Sequence, residues 1–348
     1  MCLYPILIEN KKFKNSKKNQ KKGYIPKCED FRTKYVPVPC GKCYECLKKK
    51  GREWSIRLQE EIKSNPNGIF VTLTFNNDSI NELSVLSKEP NQIATIAVRR
   101  FLERYRQKNK HSIKHWLITE LGHTGTERIH LHGIIWGMSK EEINKFWNYG
   151  YTYIGNYLAG KTATYVTKYI TKIDLDHKEF NGKILCSKGI GSQYKGYINQ
   201  YNNEDTNQLY TFKNGTKCQL PTYYRKKFYS EDEREKLWIY KLNEQIRWID
   251  GVKCDANDTE RIEKILQTAQ NKNKRLGFLN RTYTERERDN YSKIIEKINL
   301  QTKKLDIIRK AKGDEKEYRK LLKKELNFEK QIECKNKNNT FATNENNN

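Results

Sequence analysis

The order of apolar and polar positions divides this chain into short strand-like segments followed by long helical ones. Ile69 to Phe75 is β-branched and aromatic and is stopped by Asn76-Asn77-Asp78, so it reads as a central strand. Lys114 to Leu121 and Ile129 to Trp136 read as two further strands, joined by the turn-rich Gly122-His123-Thr124-Gly125. That arrangement predicts an antiparallel hairpin. Tyr151 to Ile154 is a shorter strand. Helical spacing runs through Trp54, Ile56, Leu58 and Ile62 in the segment Glu53 to Lys63. It recurs from Ile93 to Asn109, where Val98, Phe101, Leu102 and Tyr105 form the stripe and Arg99, Arg100, Arg104 and Arg106 a basic rim. Lys140 to Trp147 and Thr162 to Ile173 are also expected to be helical. Hairpins without a long βαβ run predict an α+β fold, a central antiparallel sheet with flanking helices. From about residue 230 the chain turns rich in Lys, Glu, Ile and Leu, as in Tyr291 to Ile308 and Glu315 to Cys334. This predicts a helical C-terminal region, and Asn336 to Asn348 is expected to be a disordered tail. The expected organisation is thus a basic N-terminal arm with a cysteine cluster (1–52), a catalytic α+β domain (53–230), the helical region (231–335) and the tail (336–348).

Charge narrows the function classes. Lys and Arg number 68 against 42 Asp and Glu, a formal net charge of +26, which predicts a polyanionic partner, nucleic acid. No run of about 18 apolar residues is present, so no membrane span is expected. Met1 to Glu9 is too short and wrongly flanked for a signal peptide. Nine cysteines, three of them in the run Cys40-x-x-Cys43-x-x-Cys46, argue against a secreted disulfide scaffold. A soluble, intracellular protein is the expectation.

The candidate chemistry starts in the second hairpin strand. His130 and His132 are two residues apart, so both imidazoles face the same side while Ile129 and Leu131 face the other. Across the hairpin, Glu120 is expected opposite His130 or His132 on the same face, which completes a set of two imidazoles and a carboxylate. Glu127, beside the turn, is a weaker candidate, and His111, His115, His123 and His177 lack such pairing. A mixed His/carboxylate site suits Mg²⁺ or Mn²⁺, and its task would be to polarise a scissile phosphate.

Downstream, Tyr165-Val166-Thr167-Lys168-Tyr169-Ile170-Thr171-Lys172 places two tyrosines at i and i+4 on one helix face, with Lys168 and Lys172 at matching spacing. A tyrosine oxygen can attack phosphorus, hold the strand end as phosphotyrosine and leave a free 3′-OH. The lysines could position phosphate oxygens or lower the phenol pKa.

Together these motifs resemble the HUH endonucleases, for which His130-Leu131-His132 supplies the His-hydrophobic-His motif and Tyr165 to Lys172 the two-tyrosine helix. The order, histidines first and tyrosines after, is similar to rolling-circle replication initiators of single-stranded DNA microviruses, gokushovirus-like ones in particular. Pro39-Cys-Gly-Lys-Cys-x-x-Cys46, Val71-Thr-Leu-Thr-Phe75 and Lys188-Gly-Ile-Gly-Ser192 extend the resemblance over about residues 35–230. One departure is Ile129, where such initiators often have proline. The resemblance implies a metal-dependent nicking-joining enzyme in the cytoplasm of a bacterial host. It would bind single-stranded and origin DNA, borrow a host helicase and have a host DNA polymerase extend the 3′-OH. Two other readings stay open: a non-catalytic, metal-stabilised DNA-binding protein, and a single-tyrosine transposase of the same chemistry.

Three further features carry expectations. Cys40, Cys43 and Cys46 have metal-ligand spacing; with Cys28, or less favourably Cys2, they would make a four-thiolate site for structural Zn²⁺, and the close spacing also suits iron–sulfur ligation. Gly155 to Thr162 formally matches a phosphate-binding loop, but Tyr157 and Leu158 are bulky for a backbone nest and no later strand ends in an Asp for Mg²⁺. Lys161 remains a candidate phosphate contact at a helix N-terminus. Arg99, Arg100, Arg225 and Lys226, the latter two inside Tyr223-Tyr224-Arg225-Lys226-Lys227-Phe228, are candidate single-stranded DNA contacts, with rings stacking on bases and cations on phosphates.

Overall fold

Residues of both parities are apolar in the central strands because helices cover both faces of the sheet. The computed structural model describes residues 1–122, 127–155, 158, 160–172, 177, 180–196, 208–278 and 285–310. They fall into two compact units. In the smaller, Pro5–Pro39 with the chain from Thr282 onward, β1 (Ile6–Glu9) pairs antiparallel with β2 (Tyr35–Val38). Helix Glu285–Lys310 packs on β1. Lys11 to Lys22, expected to offer little to bury, carries the short helix α1 (Lys17–Lys22). Buried Asn19 organises it, donating to Lys12 O at 2.9 Å and Lys14 O at 2.8 Å.

The larger unit, Met1–Tyr4 with Cys40–Arg281, runs α2 (Tyr44–Ser64), β3 (Ile69–Leu73), α3 (Asn77–Ser84), α4 (Pro90–Asn109), β4 (Lys114–Leu121), β5 (Ile129–Trp136), α5 (Lys140–Trp147), β6 (Thr152–Ile154), α6 (Gly160–Thr171) and β7 (Ile184–Cys186). Its five-stranded sheet is antiparallel throughout, in the order β6-β3-β5-β4-β7. One face, through Leu117, Leu121, Leu131 and Ile135, packs on α3, α4 and α5. The other, through Trp116, Ile118, Ile134 and Trp136, packs on α2 and α6. The α+β fold with a central antiparallel sheet is as the sequence pattern predicts. β4, β5 and α5 have the predicted bounds.

Helix α2 begins nine residues before the predicted Glu53, at Tyr44. Gly51 sits inside it, where a helix normally avoids glycine, because α6 crosses close by: a Cβ there would lie 3.7 Å from Thr167 O and from Thr171 Cγ2. Further along α2, fully buried Glu61 accepts from Lys114 Nζ (2.7 Å), Asn65 Nδ2 (2.8 Å) and Gly191 N (2.7 Å). Gly191 has φ +72°, and a Cβ on it would meet Arg57 O at 2.6 Å, so the Lys188–Ser192 motif is a turn shaped to dock on α2.

Past residue 208 come the hairpin β8 (Leu209–Thr211) and β9 (Lys217–Gln219), then α7 (Thr222–Phe228) and α8 (Glu231–Asn243). A second hairpin, β10 (Ile246–Ile249) and β11 (Val252–Asp255), interrupts the expected helical region before α9 (Thr259–Arg275). The predicted helix Glu315 to Cys334 and tail Asn336 to Asn348 lie outside the described residues.

Burial pushes the Glu61 carboxyl up, but the Lys114, Asn65 and Gly191 hydrogen bonds outweigh it and hold it below its ordinary 4.5. A depressed folded pKa means that its contribution is complete above 4.5 and is lost as pH falls through the lower folded value. Glu61→Ala is expected to cost about 3 kcal/mol at neutral pH and to flatten the acid limb of stability. Denaturant melts of both proteins between neutral and strongly acidic pH check this; parallel pH curves would contradict it.

Candidate active site

Antiparallel register brings the metal-ligand set together. Glu120 of β4 is paired directly with His130 of β5, and His132, two residues on, projects to the same face. Glu120 Oε2 lies 3.0 Å from His130 Nε2 and 2.8 Å from His132 Nε2, and the three ligand atoms fall within 4.8 Å of one another. β5 is flanked on its other side by β3, whose Thr72 is paired with His132. The Thr72 hydroxyl stands 3.0 Å from His132 Nδ1, and Arg128 O stands 3.3 Å from His130 Nδ1. With Nδ1 of each ring facing an oxygen, each Nε2 is turned towards the shared carboxylate, an orientation that suits metal ligation. The donor set fits a divalent cation.

The tyrosine helix lies over this cluster. The Tyr169 ring stacks on the His132 ring, with centroids 4.3 Å apart and planes 7° from parallel. Tyr165 packs edge-on against Phe70 of β3, and its hydroxyl meets that of Tyr169 at 3.0 Å. Tyr165 is exposed and Tyr169 half-buried. Lys168 Nζ stands over the Tyr165 ring at 4.0 Å and the Tyr169 ring at 5.4 Å. Lys172 pairs with Glu120 Oε1. Burial pushes the Glu120 carboxyl up, yet hydrogen bonds with His130, His132 and Lys172 hold it far below the usual carboxylate range. Burial, and then the hydrogen bond with Tyr165, raises the Tyr169 phenol above its ordinary value. A shallow hollow lined by Lys168, Tyr169, Thr171 and Lys172 opens beside the pair.

Seven sequence-predicted residues thus converge: Glu120, His130, His132, Tyr165, Lys168, Tyr169 and Lys172. Thr72 is not among them; its signal was a threonine in register beside a strand histidine. Glu127 is largely exposed and pairs with His177 at 3.3 Å, apart from the triad. His115 is buried against Ser187. Lys161 is exposed, at the first turn of α6.

Other candidates lie elsewhere. Arg99 and Arg100 are on α4, across the sheet from α6, and Arg100 pairs with Glu82 at 3.1 Å. In α7, Arg225 is half-buried and Lys226 exposed, but the expected stacking ring Tyr224 is fully buried. Its hydroxyl donates to Gly191 O at 2.9 Å, so it serves the core. Arg57 is sandwiched between Trp54 (4.1 Å) and Tyr223 (4.0 Å), which makes Tyr223 a packing residue too.

The thiol cluster is corrected in one member. Cys40, Cys43 and Cys46 gather with Cys2, not Cys28. Cys28 belongs to the smaller unit, where its thiol donates to Asp30 O at 3.2 Å.

A family model described as replication-associated protein ORF2 matches residues 68–174, the span from β3 through α6. The replication-associated protein ORF2 of Spiroplasma virus 4 is 30% identical over 227 residues, covering 56% of this chain and 69% of that protein. The replication-associated protein ORF4 of Chlamydia phage 1 is 24% identical over 230 residues, covering 56% of this chain and 55% of that protein. No solved structure matches the chain.

Thr72→Val is expected to weaken Mn²⁺ binding about 10–100-fold, since it removes the partner that orients His132. Calorimetric titration with Mn²⁺ reads this directly. An unchanged isotherm would mean that stacking on Tyr169 alone fixes the ring.

Proposed function

Because the chain belongs to the family of the replication-associated protein ORF2, we propose that it initiates rolling-circle replication by nicking and rejoining DNA at an origin. The observation that carries this reading is the paired hydroxyls of Tyr165 and Tyr169, 3.0 Å apart, with Tyr169 stacked on a ring of the Glu120-His130-His132 set. Two nucleophiles at one place allow two successive attacks on phosphorus, which cutting and rejoining both require. The charge of +26 supports a DNA partner.

In the first step a tyrosine oxygen bonds to the scissile phosphorus as the bond to the 3′ oxygen breaks. The phenol gives up its proton, the leaving oxygen takes one up, and the 5′ phosphate stays on the enzyme. The bond energy is kept, so the released 3′-OH can prime a host polymerase while a host helicase opens the duplex. The second tyrosine then attacks the regenerated origin and releases the displaced strand for closure. Glu120, His130 and His132 would hold Mg²⁺ or Mn²⁺, which supplies positive charge to polarise the scissile phosphate. Lys168, over both rings, stabilises whichever phenolate forms, and Lys172 offsets the buried charge of Glu120. Exposed Lys161 and Lys226, with Arg225, are placed to contact phosphates. The reading sets the protein in the cytoplasm of a bacterial host.

Wild-type protein with labelled single-stranded circular DNA and Mn²⁺ is expected to give an SDS-stable protein–DNA adduct that chelator abolishes. The Tyr165→Phe/Tyr169→Phe double variant should lose it by more than about 10³-fold, while at least one single variant still cuts but fails to turn over. If wild type only shifts DNA on a native gel, in a salt-dependent way, the protein is a binding module and the tyrosines are structural.

A further inference from the structure

Away from the sheet, four thiols meet at the start of α2. Cys43 is its N-cap residue, Cys46 lies in its first turn, Cys40 precedes it, and Cys2 comes from the Met1–Tyr4 segment of the same unit. Their sulfurs lie within 4.8 Å of one another, with Cys40 Sγ and Cys46 Sγ at 3.9 Å. A disulfide would need about 2.05 Å, so these two are separate thiols. Four ligands at about 2.3 Å around a tetrahedral Zn²⁺ stand about 3.8 Å apart, close to the separation found. Thiolates of an iron–sulfur cluster project outward from different irons and need a wider spread than this cluster has.

The surrounding backbone is arranged for charged sulfur. Cys40 N donates to Cys2 Sγ at 3.2 Å, Tyr4 N to the same sulfur at 3.4 Å, and Cys43 N to Cys40 Sγ at 3.3 Å. The unpaired N–H groups of the first turn of α2 add a positive end, since Cys43 makes no side-chain cap bond there. Cys43 is fully buried. Four sulfurs packed this closely would repel as thiolates unless a cation neutralised them.

We propose that Cys2, Cys40, Cys43 and Cys46 form a closed structural site for a single Zn²⁺, independent of the Glu120-His130-His132 set. All four positions of the ion are filled by protein, so it has no room for substrate and serves as a clamp. It ties residues 1–4 to the start of α2, the helix that receives α6 at Gly51 and therefore holds the two tyrosines.

The test is carried out on the full chain. Metal analysis of a His130→Ala/His132→Ala variant, purified without added metal, is expected to find about one zinc per chain. Exchange with Co²⁺ in the same background should give thiolate-to-cobalt charge-transfer bands and the intense visible bands of tetrahedral coordination. Cys28→Ser should keep both signals and Cys2→Ser should lose the charge-transfer intensity of one thiolate. Iron in place of zinc, a zinc-free folded chain without cobalt bands, or sensitivity to Cys28→Ser instead of Cys2→Ser would each overturn the proposal. The cobalt spectrum needs no cysteine variant, so a misfolded Cys2→Ser protein would not block the result.

Discussion

The antiparallel register between β4 and β5 is the constraint on which the candidate site depends. Glu120 faces His130 across the pair, and the two-residue period of a strand puts His132 on the same side. A slip of one residue would send the carboxylate into the core on the other face, among Leu117, Leu121 and Leu131. That register is held by the apolar residues themselves, because each face of the sheet has its own core. Burying a carboxylate among two imidazoles would be costly alone; His130, His132 and Lys172 compensate by hydrogen bonding its charged form.

The nucleophiles are set by a different interface. Helix α6 reaches its place by packing on α2 at Gly51, and α2 is fixed in turn by the buried Glu61, which joins it to β4 and to the Gly191 turn. Ala163, Val166 and Ile170 face the sheet core, which leaves Tyr165, Lys168, Tyr169 and Lys172 on the side that meets the histidines. One helix therefore carries a packing stripe and a chemical stripe side by side. The family match runs from β3 through α6, the part of the chain that contains both the sheet and this helix.

Much of this is legible in the sequence because the features are local. Strand alternation gives the shared face of His130 and His132, the hairpin gives Glu120, and helical spacing gives the tyrosine pair. What is hidden depends on contacts distant in sequence. Thr72 matters through its register with His132, sixty residues away, and nothing local marks it. The start of α2 is obscured because Gly51 and the preceding lysines read as a break, whereas the glycine records the closeness of α6. Cys2 ranks below Cys28 on chain distance, yet the fold brings the N-terminal residues back to Cys40. Tyr223 and Tyr224 look like stacking partners for bases because a basic aromatic run has the same composition as a packed helix edge. The β10–β11 hairpin does have a signal, Asp250-Gly251, whose positive φ angles of 46° and 84° make the tight turn. The helix-rich composition around it masks that signal.

The most direct test of the central claim is to locate the DNA on the protein. Lys168 separates the two tyrosines, so trypsin places Tyr165 and Tyr169 on different peptides, 162–168 and 169–172. After nuclease trimming and digestion of the covalent adduct, mass spectrometry should find a nucleotide phosphate on one or both of these peptides. A nucleotide on any other residue, or no modified peptide from DNA that has been cut, would contradict the account.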